Sequence, residues 1–287
     1  MTASLRDLVE EELSQPVDPR VPAMAAAIAA KHGSASRAVL FYGSCLREKQ
    51  LDGLMLDFYL IVSDYRSAYD QKWLARANVL IPPNVFPFQH EGLASKYAVL
   101  SEADFNRLNG PETRNVSVWA RFAQPSRLAW VADEQARNRA IDAVSRAAPT
   151  LLAAAGRVDG EDPLDWWRRA FSLTYSAELR AERKGRSVSV VDADAERYRR
   201  FATPAIAAIP AAARSGQWLR RRVEGKALSV VRLAKATTTY AGGAEYIAWK
   251  INRHAGTNIE LSAWQKRHPL LAAISLLPRL LTSGAIR

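Results

Sequence analysis

One carboxylate sets the terms for this chain. Residues 39–62 read Val-Leu-Phe-Tyr-Gly-Ser-Cys-Leu-Arg-Glu-Lys-Gln-Leu-Asp-Gly-Leu-Met-Leu-Asp-Phe-Tyr-Leu-Ile-Val. The apolar run Val39 to Tyr42 stops at Gly43-Ser44, a polar segment follows, and a second apolar run, Leu54 to Val62, is interrupted by Asp57 alone. Short apolar runs bounded by turn residues read as buried strands. An acid inside such a strand is costly to bury unless a metal ion or a cation partners it. The Gly43-Ser44 turn ahead of it offers backbone N–H groups and a hydroxyl, which suit phosphate oxygens. The two pieces together point to a nucleoside triphosphate site with a divalent metal. The alternative reading is an ordinary strand, turn and strand with Asp57 paired to an arginine.

The 287 residues suffice for two lobes, and a composition of 48% hydrophobic and 24% charged residues is that of a globular protein. Cys45 is the single cysteine, so no internal disulfide forms and a reducing compartment is expected, cytoplasm or mitochondrial matrix side. No signal peptide is read at the N-terminus, and no stretch reaches the ~18 apolar residues of a spanning helix. A soluble or peripheral protein is expected. The formal net charge is +11, and residues 180–267 hold eighteen Lys and Arg against seven Asp and Glu, so the excess resides in the C-terminal part. Such a surface attracts phosphate-rich partners, nucleic acid or anionic lipid.

Along the chain, residues 1–33 read as one or two helices. Strands are expected at 39–42, 54–62 and 96–101, and Ser44 to Arg47 opens a helix or tight turn. Residues 67–80 read as a helix, 82–91 as a Pro-rich loop, and Ser101 with Asp104 as a helix start. Residues 117–130 read as partly irregular. One long helix is expected over 133–155 and another over 162–183, with Trp166, Trp167, Phe171 and Tyr175 on one face. Residues 185–200 read as a loop entering a helix, 201–216 as a linker or broken helix, and 217–255 as helices.

Several segments in order resemble the mitochondrial-type phosphatidate cytidylyltransferases, the translocator assembly and maintenance family, within the nucleotidyltransferase superfamily of the DNA polymerase beta type. Tyr42-Gly43-Ser44 is similar to the family's Tyr-Gly-Ser turn, and Leu54-Met55-Leu56-Asp57-Phe58 to its acid-bearing strand. Lys96-Tyr97-Ala98-Val99-Leu100 resembles its Lys-Tyr-Gly-Val-Ile strand, with Ala98 replacing a glycine. Ala120-Arg121-Phe122 with Pro125 resembles its Gly-Arg-Leu segment, and Leu173-Thr174-Tyr175-Ser176 with Arg180 its Leu-Ser-Tyr helix. The likeness spans about residues 38 to 183. Met55 stands where many superfamily members carry a second acid, and the named family shows one acid there too.

The resemblance implies an α+β fold: a polymerase-beta-like nucleotidyltransferase lobe with a small mixed sheet over 1–135, a mainly helical C-terminal lobe over 136–265, and an apolar and basic segment at 266–287. It implies transfer of CMP from CTP to phosphatidate, giving CDP-diacylglycerol and pyrophosphate with Mg²⁺ as cofactor. Asp57 would hold the metal, with Asp52 the candidate second ligand and Asp104 behind it. Gly43 and Ser44 would meet phosphate oxygens, and Lys96, Arg121 and Arg47 are the candidate phosphate cations. Solvated or structural roles stay open for those cations, and Glu178 with Arg180 reads as a surface pair. His32, His90, His254 and His268 stand at no ligand spacing, so zinc is not expected. Lys266-Arg267-His268-Pro269 ahead of Leu270 to Leu277 fits an interfacial helix on an anionic membrane, and a docked terminal helix is the alternative. Trp218 to Arg222 reads either as a phosphate binder or as a wet helix face. Two rivals remain: a nucleotidyltransferase for another phosphate or an RNA acceptor, and a non-catalytic basic protein binding nucleic acid or membrane. With a lipid acceptor in view, nucleic acid is not the expected partner.

Overall fold

A computed structural model of the chain describes residues 3–48, 51–178, 190–211, 213, 215–239 and 262. The fold is α+β, a small mixed five-stranded sheet with helices on both faces. Helix α1 (Leu5–Leu13) starts at Ser4, whose hydroxyl accepts from the Asp7 amide while the Asp7 carboxylate accepts from the Ser4 amide. Helix α2 (Arg20–Ala30) follows. The sheet then takes β1 (Ser36–Tyr42), and after α3 (Ser44–Glu48), β2 (Met55–Val62). Helices α4 (Tyr65–Ala68) and α5 (Lys72–Leu80) lead to β3 (Asn84–His90) and β4 (Leu93–Ser101). Helices α6 (Glu102–Asn109) and α7 (Trp119–Phe122) precede β5 (Ser126–Val131). The rest is helical: α8 (Glu134–Ser145), α9 (Ala147–Ala155), α10 (Pro163–Ala177), α11 (Ala195–Ala207) and α12 (Trp218–Thr239).

The strand order is β3-β4-β2-β1-β5. Only β2 and β4 run parallel, joined by the crossover through α4, α5 and β3. Central strand β2 is covered on both faces, which explains its near-continuous apolar reading. Leu56, Phe58, Leu60 and Val62 pack with Met24 and Ile28 of α2. Tyr59 and Ile61 face the larger core with Leu40, Leu100, Phe122, Trp119 and Trp167. That core draws on α1 and on helices either side of residue 135. A buried ion pair ties α11 to α1: Arg197 donates through Nε and Nη2 to the two carboxylate oxygens of Glu12, at 2.5 and 3.0 Å.

Four readings of the sequence are corrected. Residues 84–90, expected as loop, form β3; it is an edge strand, so Pro87 removes no ladder hydrogen bond that a central position would need. The stretch expected to be irregular holds α7 and β5, and β5 is likewise an edge strand with one half-buried face. The helix expected over 133–155 is two, joined at Arg146, with Pro149 in the first turn of α9 where no intrahelical N–H is lost. The helix expected over 67–80 is also two, because Asp64 caps α4 and the chain turns extended at Tyr69 before α5. Trp166, Trp167 and Phe171 are buried on one face of α10 as expected. The segment 266–287 lies outside the described residues, as do Arg180 and all of 241–255. No helix among the described residues is long and apolar enough to cross a membrane.

Candidate active site

Strand pairing brings Gly43, Asp57 and Lys96 to one end of the sheet. Tyr42 is the register partner of Asp57 across the β1–β2 ladder, and Lys96 is its partner across the parallel β2–β4 ladder. On that parallel pair the side chains point to the same face, and the Lys96 ammonium sits 3.0 Å from Asp57 Oδ1. Both side chains keep about a quarter of their surface, 22% for Asp57 and 27% for Lys96, so the pair is half-buried and open to a ligand. Alternation along β2 puts Asp57 on the face of Tyr59 and Ile61, at the rim of the larger core.

Gly43 closes β1 at φ +97°, a left-handed conformation that L side chains resist. A Cβ there would stand 3.2 Å from Asp57 Oδ2. The glycine thus keeps backbone and carboxylate in contact. Ser44 begins α3 directly after it, and Cys45 is buried with its thiol 3.5 Å from the Met55 carbonyl. Arg47 belongs to α3; its side chain lies outside the described part.

Arg121 is drawn to the same face by α7. Its guanidinium lies 3.4 Å from Glu178, at the C-terminus of α10, and also donates to the Ser117 carbonyl. Burial works against its charge, and Glu178, Tyr59, Tyr42 and Asp57 outweigh that and hold its pKa above the ordinary value. The Tyr42 and Tyr59 rings are tilted against each other with centroids 5.4 Å apart, and both pack on Phe122. Burial pushes both phenols up, and Asp57 adds to the rise at Tyr42. They are neutral hydroxyls at physiological pH.

Helix α12 completes the cluster. Arg232 donates to the Pro82 carbonyl at 2.8 Å and to the Ser117 hydroxyl at 3.0 Å, so Arg121 and Arg232 converge on one residue. Lys235 donates to the Ile81 carbonyl. Burial lowers the pKa of both, and each suffers from a neighbouring cation, Arg121 for Arg232 and Arg232 for Lys235; Lys235 falls to about 7. The helix reaches this close because Gly225 lies against the end of α10: a Cβ there would fall 2.2 Å from the Ala177 carbonyl oxygen. Among the described residues, Lys96 and Arg121 neighbour the carboxylates Asp57 and Glu178, Arg232 adds a third cation beside Arg121 and Glu178, and Lys235 stands behind Arg232. A half-buried excess of positive charge favours an anionic ligand.

Not all candidates converge. Asp52 is exposed and bonded to Arg20 at 2.8 Å, away from Asp57. Asp104 follows Ser101, the register partner of Val62, so five residues of strand, about 16 Å, separate it from the Asp57 end. It accepts from Tyr65 and Arg107. Glu178, read as part of a surface pair, is buried and faces Arg121. Arg221, in the basic run after Trp218, is buried and donates to the carbonyls of Gly216, Thr113 and Arg114. A separate hollow of about 450 Å³ lies beside Glu102, Phe105 and Arg139 at the far end of β2; its acid Glu102 is bonded to Arg37 and Arg139. The Asp57 end is the better candidate, because its glycine, acid and cations converge.

Sequence reasoning missed Glu178, Arg232 and Lys235. The signal was present. Trp167, Phe171, Thr174 and Glu178 follow one helical stripe, so an acid falls on an apolar face. Arg221, Gly225, Leu228, Arg232 and Lys235 recur at the same spacing on α12.

A magnesium ion fits the donor set only together with a substrate. Among the described residues no three His, Cys, Asp or Glu side chains gather at one point. Mg²⁺ is commonly held by one or two carboxylates with the remaining positions filled by phosphate oxygens and water, and Asp57 meets that requirement. No protein-family model and no curated protein matches the chain.

Proposed function

We propose that the chain is a Mg²⁺-dependent nucleotidyltransferase of the polymerase-beta type that transfers CMP from CTP to phosphatidate, releasing pyrophosphate. The observation that carries it is the Asp57 carboxylate, seated in an apolar strand beside Gly43 and paired with Lys96, with the Arg121–Glu178 pair next to it and Arg232 beside that pair. The cytidylyl and lipid specificities come from the resemblance of Tyr42 to Ser44, Leu54 to Phe58 and Lys96 to Leu100 to the phosphatidate cytidylyltransferase segments.

In this reading Asp57 would hold Mg²⁺, which supplies charge neutralisation on a triphosphate. Gly43 lets backbone approach the phosphates, and Ser44 offers a hydroxyl next to it. Lys96, on leaving Asp57, places its ammonium on a phosphate oxygen. Arg121 stays oriented by Glu178 and faces charge that builds on the departing pyrophosphate. A phosphatidate oxygen forms the new bond to the α-phosphorus of CTP as the bond from that phosphorus to the bridging oxygen breaks. The nucleophile is already an anion, so no general base is required. Catalysis is then mostly positioning and electrostatics.

The test is pyrophosphate release by the purified chain with Mg²⁺ and each of the four NTPs, with and without phosphatidate vesicles. Release with CTP and phosphatidate alone supports the proposal. Release with another nucleotide or without lipid overturns the substrate, and silence throughout overturns the activity.

A further inference from the structure

Helix α12 has two sides of different chemistry. Gly225, Arg232 and Lys235 face inwards, to α10 and to the chain after α5. Leu219, Val223 and Val231 are 71%, 63% and 42% exposed; Leu219 and Val223 share one stripe and Val231 stands about 80° further round the helix. Exposed Arg222 and Lys226 run beside that stripe. The only acid of α12, Glu224, is bonded to Arg114 and Arg220.

Helix α5 adds a second such surface. Lys235 and Arg232 bond the carbonyls of Ile81 and Pro82, so side chains of α12 hold the two residues that follow α5. Just before that seam stand Val79 and Leu80, 64% and 78% exposed, with Trp73 two turns earlier at 46%. Lys72 and Arg76 are exposed on the same short helix, which contains no acid. Exposed apolar tips interleaved with cations, on helices whose one acid is paired, match the boundary of an anionic bilayer: the aliphatic and indole groups enter the acyl edge while the cations meet headgroups.

The geometry points to α5 and α12 as a docking face for an anionic lipid surface. The inward side of the same helix carries Arg232 to Arg121 and Glu178, next to Asp57, so docking would set a lipid headgroup near the site. That last step rests on the proposed function; the docking rests on the two helix surfaces alone.

The test is sedimentation of the full chain with phosphatidylcholine vesicles, with and without phosphatidylglycerol. The expected result is binding to the anionic vesicles that weakens with salt. Leu80→Glu combined with Val223→Glu should lower it at least about tenfold. Arg222→Ala with Lys226→Ala should cost about fivefold per cation on anionic vesicles and little on neutral ones. Circular dichroism, with turnover of dispersed short-chain phosphatidate, checks that the variants fold. Vesicle binding unchanged in the variants overturns the docking face. So does equal, salt-insensitive binding to neutral vesicles, and so does a dimer that the variants dissociate, which would make a second copy the occupant. A folded parent that binds vesicles but turns over no dispersed substrate sinks the enzymatic reading and leaves the docking face standing.

Discussion

Asp57 and Lys96 are register partners on the two parallel strands of the sheet, and their charged groups meet at 3.0 Å. The two opposite charges face each other directly. Replacing Asp57 with Asn keeps the shape and removes the charge. Under the proposed function, Asp57→Asn should abolish pyrophosphate release, by at least about a thousandfold, since metal binding and charge neutralisation are lost together. The half-exposed pair contributes modestly to stability, so the melting temperature should move by only a few degrees, about what 1 kcal/mol produces. Activity assay and thermal melt on the same preparation check both halves.

Gly43→Ala adds a methyl group where φ is +97° and Asp57 Oδ2 is 3.2 Å away. Left-handed backbone costs a non-glycine residue about 1–2 kcal/mol. The variant should lose about that much stability in urea melts. Under the proposed function it should also lose turnover out of proportion to stability, because the carboxylate must shift. A variant with full kcat would argue against close approach at this point.

Gly225→Ala tests how the C-terminal helix reaches the site. In an exposed helix interior the change would stabilise by about 1 kcal/mol through propensity. Here the methyl would meet the Ala177 carbonyl at 2.2 Å, so α12 must move away from α10. The expected outcome is destabilisation, faster amide exchange over 218–239, and weaker triphosphate binding, although residue 225 is not itself among the site's cations.

Lys235 should titrate near neutrality, since burial and then Arg232 lower its pKa to about 7. Its folded pKa lies below its unfolded value, so between about 7 and the ordinary lysine value near ~10.4 the unfolded chain binds more protons and stability rises with pH. Lys235→Met should flatten that rise in urea melts taken across the window. Under the proposed function, triphosphate affinity falls as pH climbs through 7 in the parent and less so in the variant. Equal slopes in parent and variant would remove Lys235 from the site.

Burial raises the phenol pKa of Tyr42, Tyr59, Tyr65, Tyr69 and Tyr97. These groups keep their protons where a free tyrosine, near ~10, loses its own. The stability they confer is present below that value and is lost as pH rises through their folded pKa. Ultraviolet titration should therefore show at least five of the nine tyrosines of the chain silent until alkaline unfolding releases them together.

Much of this was legible in the residues themselves. The apolar runs around Asp57 predict β1 and β2, Ser101 with Asp104 predicts the start of α6, and the tryptophan stripe predicts the buried face of α10, because each is a local pattern of burial or capping. Gly43, Ser44 and Asp57 stand out because a turn and a buried acid are chemical oddities at fixed places in the chain. The edge strands β3 and β5 were not legible: Pro87 and the half-buried 126–131 segment lack the pattern of a strand covered on both faces, and the sheet alone supplies their partners. Only the tertiary structure decided which charges meet. Asp52 went to Arg20, Glu178 to Arg121, and Arg232 came beside Arg121 with Lys235 behind it, because side-chain pairing depends on strand register and on the close helix crossing at Gly225, which join residues far apart in sequence.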